Sequence, residues 1–240
     1  MVEIQLVDRS SMIAALNREI KILPSSTAIV AIDMHRGHLD MSVATMPTTP
    51  QDAQRVIGNA KKLLLYARSL GVSIIHVKLV MRRLRKGGSE TNNVAFWQAL
   101  QKIRNDQDRL TPRRPSTVNE HNLEGSPGTE IIPELFEESD YIIDNKKRLD
   151  CFMGTDLDIL LKSLSVRTIC LMGINTNTCV LNTAFTAFNL NYEVVVLSDC
   201  VASMYGEDLH VFGLQNIARC IGWVLSNEQL YAKLECPEVA

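Results

Sequence analysis

The 240-residue sequence has no Cys-x-x-Cys pair among its six cysteines. It also has no Gly-x-Gly-x-x-Gly after its first apolar run, and no apolar block of the roughly 18 residues that a spanning helix needs. The first absence argues against a small disulfide scaffold and for reduced thiols in a cytoplasmic setting. The second argues against dinucleotide binding, the third against a membrane protein. Charge of one sign is lacking too: net charge is -2 with an isoelectric point near 6.2, so no global basic field favours nucleic acid or an anionic membrane. "RRLRK" (Arg82 to Lys86) is a local basic run with no aromatic interleaving, and reads as a solvated loop. The first 25 residues carry early acids and no long apolar block, which reads as an N-terminal extension rather than a secretory signal.

What is present is alternation. "TAIVAID", "VSIIHVKLV", "DYIIDNK", "RTICLMG", "EVVVLSD" and "CIGWVLS" are short Val/Ile/Leu-rich runs separated by helix-period segments. The clearest of these segments starts at Pro50. It has an apolar stripe at Val56, Ile57, Ala60, Leu63, Leu64, Ala67 and Leu70, closed by Gly71. Further helices are expected at "GTEIIPELF", over 155–165 with Thr155 or Asp156 as cap, over 177–191, and at "EDLHVFGLQNIAR". Near-continuous apolar strands alternating with helices predict a single α/β domain over 26–240: a six-stranded parallel sheet with helices on both faces. Residues 81–128 are polar and break the alternation, predicting a long excursion with one helix near 94–104.

Ligands of such sheets bind beyond the carboxyl ends of the strands. Three chemical groups sit there. Asp33 ends the first strand, Lys147 follows the third, and Cys179 follows the fourth, where a helix begins. A thiol in a first helical turn meets backbone N–H groups and the positive dipole end, which favour a thiolate and would hold an oxyanion. Thiol, acid and cation on one rim are the components of nucleophilic hydrolysis. Each has a plainer reading as well: a packed cysteine, a turn-capping acid, a solvated lysine.

"AIDMHRGHLD", "KKRLDCFMGTDLDILL" and "GINTNTCV", followed by "EVVVLSDCVAS", resemble the isochorismatase-like cysteine hydrolases over about residues 26–230. The tail "QNIARCIGWVLSNEQL" looks closest to members acting on ureido and carbamoyl amides. The resemblance implies strand order 3-2-1-4-5-6, a Rossmann-like three-layer architecture, and a catalytic triad of Asp33, Lys147 and Cys179. It also implies a cis peptide between Ile174 and Asn175, with the N–H groups of Asn175 and Cys179 as oxyanion hole, and a homo-oligomer, dimer or tetramer.

The implied activity is hydrolysis of a C–N bond in a small linear amide, with maleamate- or nicotinamide-type amidases as alternatives. The metal-dependent nicotinamidases carry an Asp-x-His element after strand two, where this chain has "IIHVKLVMRR", so neither metal nor other cofactor is expected. His35 and His38, following the acid, are candidates for the substrate pocket. His121 and Arg82 or Arg83 lie in the excursion without an assigned role. A non-catalytic binder, or a redox sensor pairing Cys151 with Cys179, are the readings from other classes.

Overall fold

The computed structural model describes residues 7–82, 95–103 and 121–235. β1 (Thr27–Ile32), β2 (Ser73–Leu79), β3 (Tyr141–Lys146), β4 (Thr168–Ile174), β5 (Glu193–Ala202) and β6 (Trp223–Leu225) form one sheet in the order β3-β2-β1-β4-β5-β6. Every pairing is parallel. The chain is therefore the doubly wound α/β fold that the alternation predicts. Its strand order reverses between β1 and β4, where a crevice opens beyond the carboxyl ends.

The helices are α1 (Ser10–Glu19), the single turn α2 (Arg36–Leu39), α3 (Pro50–Ser69), α4 (Ala95–Ile103), α5 (Leu157–Ser163), α6 (Leu181–Asn189), α7 (Glu207–Cys220) and α8 (Asn227–Glu235). α3 shows how the sequence sets an element. Thr49 caps it by accepting from the Asp52 N–H at 3.0 Å, Pro50 occupies the first turn, and Gly71 at φ +72° turns the chain out. Its stripe of Ala53, Val56, Ala60, Leu63, Leu64 and Ala67 is buried against one face of the sheet, joined by Leu230 and Leu234 of α8. Leu157 and Leu161 of α5, Ala184 and Ala187 of α6, and Ile217 of α7 fill the other face. β1 and β4, covered on both sides, are buried at every residue.

Several expectations change in detail. "GTEIIPELF" forms two 3₁₀ turns, Pro127–Thr129 and Pro133–Leu135, because a proline opens each short segment and the chain turns extended after each. The N-terminal extension carries α1, which packs on β6: Asn17 Nδ2 donates to the Val224 carbonyl at 2.8 Å, and Trp223 Nε1 donates to the Leu16 carbonyl at 3.0 Å. α8 continues past the sixth strand, where the sequence reading marked no helix. The two ends of the excursion are clipped together, Met81 N–H donating to the Asn122 carbonyl and Glu124 N–H to the Met81 carbonyl. That clip brings His121 and Asn122 to the carboxyl rim.

Candidate active site

Asp33 leaves β1 in the left-handed region, at φ 53°, which a short polar side chain tolerates better than most residues. Its carboxylate is wholly buried and collects two donors. The Leu79 N–H reaches Oδ1 at 2.8 Å and the Lys146 ammonium binds Oδ2, with the Cys179 thiol within electrostatic reach of both charges. An unpaired charge at this depth would be prohibitively costly, and the ion pair with its extra hydrogen bonds is what makes it tolerable.

The lysine in this group is Lys146, not Lys147. The β2–β3 register explains the correction. Val77 pairs with Ile143, but Leu79 pairs with Lys146, so two steps along β2 face three along β3. This bulge reverses the alternation of the edge strand, and Lys146 takes the inward place that unbroken period-two spacing would give to Lys147. Lys146 is 0% exposed, whereas Lys147 is half-buried within electrostatic reach of Arg82.

Cys179 is reached through a close approach of two strands. Gly173, paired with Ile32, sits at φ +124°, and a Cβ there would lie 1.9 Å from the Ile32 carbonyl oxygen. Only glycine fits. The following Ile174–Asn175 peptide is cis. A single π-helical turn, Thr176–Val180, then leads into α6; within it, the Thr178 and Val180 N–H groups both donate to the Asn175 carbonyl, at 3.2 and 3.1 Å. The Asn175 side chain is fixed from the other side, its Oδ1 accepting from the Met204 N–H at 2.8 Å. Cys179 is 3% exposed.

Burial pushes the Cys179 thiol up; Lys146 pulls it down, and the Asp33 carboxylate pushes it up again. The net direction is upward, burial outweighing the pull of Lys146. Burial also raises Asp33, but Lys146 and then His35 lower it by more, and it stays ionised. Burial lowers Lys146, and Asp33, followed by Cys179, outweighs that and holds its ammonium protonated. Cys151 lies within electrostatic reach of both groups, but burial pushes its thiol up to about 12, which is no resolving thiolate.

Beside the group lies a histidine cluster. His35 and His38 stack with centroids 5.1 Å apart, and His121 lies 4.5 Å from His38. Asn122 Nδ2 donates to His35 Nε2 at 2.8 Å and to His121 Nε2 at 3.0 Å. His121 therefore carries its proton on Nδ1 and donates it to Thr45 Oγ1 at 2.9 Å. Burial lowers all three imidazoles, His35 to about 3, and leaves them neutral. No group of side chains placed to hold a metal ion occurs among the described residues.

The cavity above Cys179 is closed to about 20 Å³, room for about one water. His38, His121, Met46, Met81, Trp97 and Tyr205 are among its walls. His38 thus faces the cavity. His35 is not among the lining residues; it packs behind His38, with Nε2 4.0 Å from Asp33 Oδ1. Arg82 is exposed outside the cavity lining, and Arg83 lies outside the described residues. Sequence reasoning missed Lys146, Asn122 and Trp97. A bulge gives no sequence signal, and Asn122 meets His35 across 87 positions of chain.

A doubly wound parallel sheet with a thiol, a carboxylate and an ammonium joined at its switch point defines the class: an α/β protein with a buried Cys–Asp–Lys centre. The chain belongs to the isochorismatase family, whose Isochorismatase domain matches residues 27–229. Among curated proteins it is 27% identical to the ureidoacrylate amidohydrolase RutB of Acinetobacter baylyi, over 85% of this chain and 82% of that protein. It is 30% identical to the RutB of an Enterobacter species, over 85% and 87%. Among solved structures, a cysteine hydrolase from Pseudomonas syringae superposes with a TM-score of 0.74 at 23% identity, covering 91% of this chain and 97% of that one.

Proposed function

We propose that the protein is a cysteine amidohydrolase that cleaves a C–N bond of a small linear amide, of the ureido or carbamoyl class. The observation that carries this reading is the buried Cys179 thiol, which lines a cavity and lies within electrostatic reach of the Asp33–Lys146 ion pair. The ureidoacrylate amidohydrolases among its relatives support the substrate class.

On this reading Asp33 takes the thiol proton as sulfur adds to the substrate carbonyl, so a strongly nucleophilic thiolate exists only during attack. The N–H groups of Asn175 and Cys179 hold the tetrahedral oxyanion. Asp33 then returns the proton to the departing nitrogen, which leaves as ammonia or an amine. Water, deprotonated by Asp33, hydrolyses the thioester and frees the sulfur. Lys146 remains protonated throughout and holds the carboxylate in place as its charge changes. The reaction needs no redox partner, and none of these steps calls on a metal.

Exposed apolar side chains on two neighbouring helices, Phe185 and Phe188 of α6 with Leu209 and Phe212 of α7, support a homo-oligomer as the working form. In ammonia-release assays over a panel of small amides and ureido compounds, Cys179→Ala should lose turnover completely while keeping its circular dichroism spectrum. Full activity in that variant would end the reading.

A further inference from the structure

α7 packs on the turn that carries Cys179. Gly213 meets its backbone, where a Cβ would lie 3.2 Å from both the Asn177 Cα and the Thr176 carbonyl oxygen. Nearer the start of the helix, His210 Nδ1 lies 2.8 Å from Thr176 Oγ1. Thr176 opens the π-helical turn and is 0% exposed, and its hydroxyl has no other hydrogen-bond partner among the described residues. The one proton of that hydroxyl is satisfied only if Nδ1 accepts it, which leaves the proton of a neutral ring on Nε2. A protonated ring carries a proton on Nδ1 as well. The buried hydroxyl must then accept, and no acceptor remains for its own proton.

Charged groups reach the half-buried ring from two elements: Glu207 of α7, and Arg55 and Asp52 of α3. The turn itself adds none. Burial opposes the charged ring, Glu207 favours it, Arg55 opposes it and Asp52 favours it. The net direction is below the ordinary imidazole value, so the ring is neutral at neutral pH.

We propose that His210 is a positioning residue: as a neutral acceptor for the Thr176 hydroxyl it holds the Cys179 turn in place, and on gaining a proton it releases that turn. This rests on the amidohydrolase reading and adds a group that acts on the sulfur only through Thr176.

The test compares the unaltered protein with His210→Asn, whose Oδ1 replaces Nδ1 as acceptor and does not titrate. Two rates are followed: ammonia release, and alkylation of Cys179 by iodoacetamide, read on its own peptide by mass spectrometry. Near about pH 7.5 the variant should keep both rates within a factor of about two. Toward about pH 5 the unaltered protein should lose kcat at least about fivefold relative to the variant. Its Cys179 should at the same time be alkylated at least about fivefold faster, because the released turn exposes the sulfur as it misplaces it. Taking ratios cancels the effect of pH on the thiol itself. Glu207→Gln should move both changes to lower pH, and His210→Leu should show the acid behaviour at every pH. Ratios that stay flat, or nitrogen NMR that finds the His210 proton on Nδ1 at neutral pH, would overturn the proposal. Flat ratios beside ammonia release that depends on Cys179 sink the positioning and leave the amidohydrolase standing. Ammonia release from no amide, with the alkylation ratio rising as stated, sinks the amidohydrolase and leaves His210 as the latch of the turn.

Discussion

Two adjacent lysines, chemically identical in the unfolded chain, have opposite parts in this protein. Lys146 neutralises a carboxylate that has no contact with solvent, whereas Lys147 is half-buried near Arg82. Lys146→Met should lower kcat by at least about a hundredfold, because Asp33 would then ionise less readily and lose its anchor. It should also cost about 3–5 kcal/mol in urea unfolding, since it strands a buried charge. Lys147→Met should stay within about 0.5 kcal/mol and a factor of two in rate. Equal effects of the two substitutions would return the role to Lys147.

At the scale of the element, the strand-to-helix joint after β4 carries the site. Gly173 lets two strand backbones touch, and the π-helical turn beyond it sets Cys179 beneath the cavity. Gly173→Ala adds a methyl group where the nearest atom is backbone and the φ is one that L-residues avoid. It should destabilise the fold by more than about 3 kcal/mol and abolish activity, read by thermal unfolding and ammonia release. α4 contributes Trp97, which packs against Leu79, Met81 and Leu123 on one side and Met46 and Met204 on the other. Trp97→Ala should enlarge the cavity and shift KM more than it shifts stability, a comparison of steady-state kinetics with melting temperature.

For the molecule as a whole, the edge strand that delivers Lys146 must be tied to the body of the domain. The tie is Asp140, just before β3, whose side chain is buried. It accepts from Arg68 Nη2 of α3 at 2.6 Å and Nε at 3.1 Å, and lies 3.0 Å from His76 Nε2 of β2. Burial raises the Asp140 pKa, but bonds from His76 and Arg68 lower it by more, to well below the ordinary carboxylate range. A depressed folded-state pKa contributes stability that is full above the unfolded value, near about 4, and fades as pH falls toward the folded one. Asp140→Asn should therefore be less stable than the parent by about 2–3 kcal/mol at pH 7, and the gap should close as urea denaturation is repeated below about pH 4. A gap independent of pH would mean that the tie is packing, not charge.

The sheet, its strand sequence positions and the placement of Asp33 and Cys179 on one rim were legible because they depend on local pattern. Buried parallel strands are continuous apolar runs, and an acid or thiol at the end of such a run is conspicuous. The stripe on α3 needed only its own period, although Leu70 at the end of that stripe is exposed. Other features were invisible for a common reason: they are relations between distant segments. The bulge that selects Lys146 exists only when β3 lies against β2, and the neutral histidines owe their protonation state to burial by segments far away in sequence. The Asn122 clasp needs the excursion to return to Met81.

By itself, then, the sequence determined the layered α/β architecture and the presence of a thiol and an acid on one rim, because hydrophobic period and strand ends are properties of single segments. Tertiary structure alone decided which lysine meets the acid, that the thiol is buried beside that pair, and that His38 lines the cavity. Each of these follows from registry and desolvation, which arise only when separate segments are packed together.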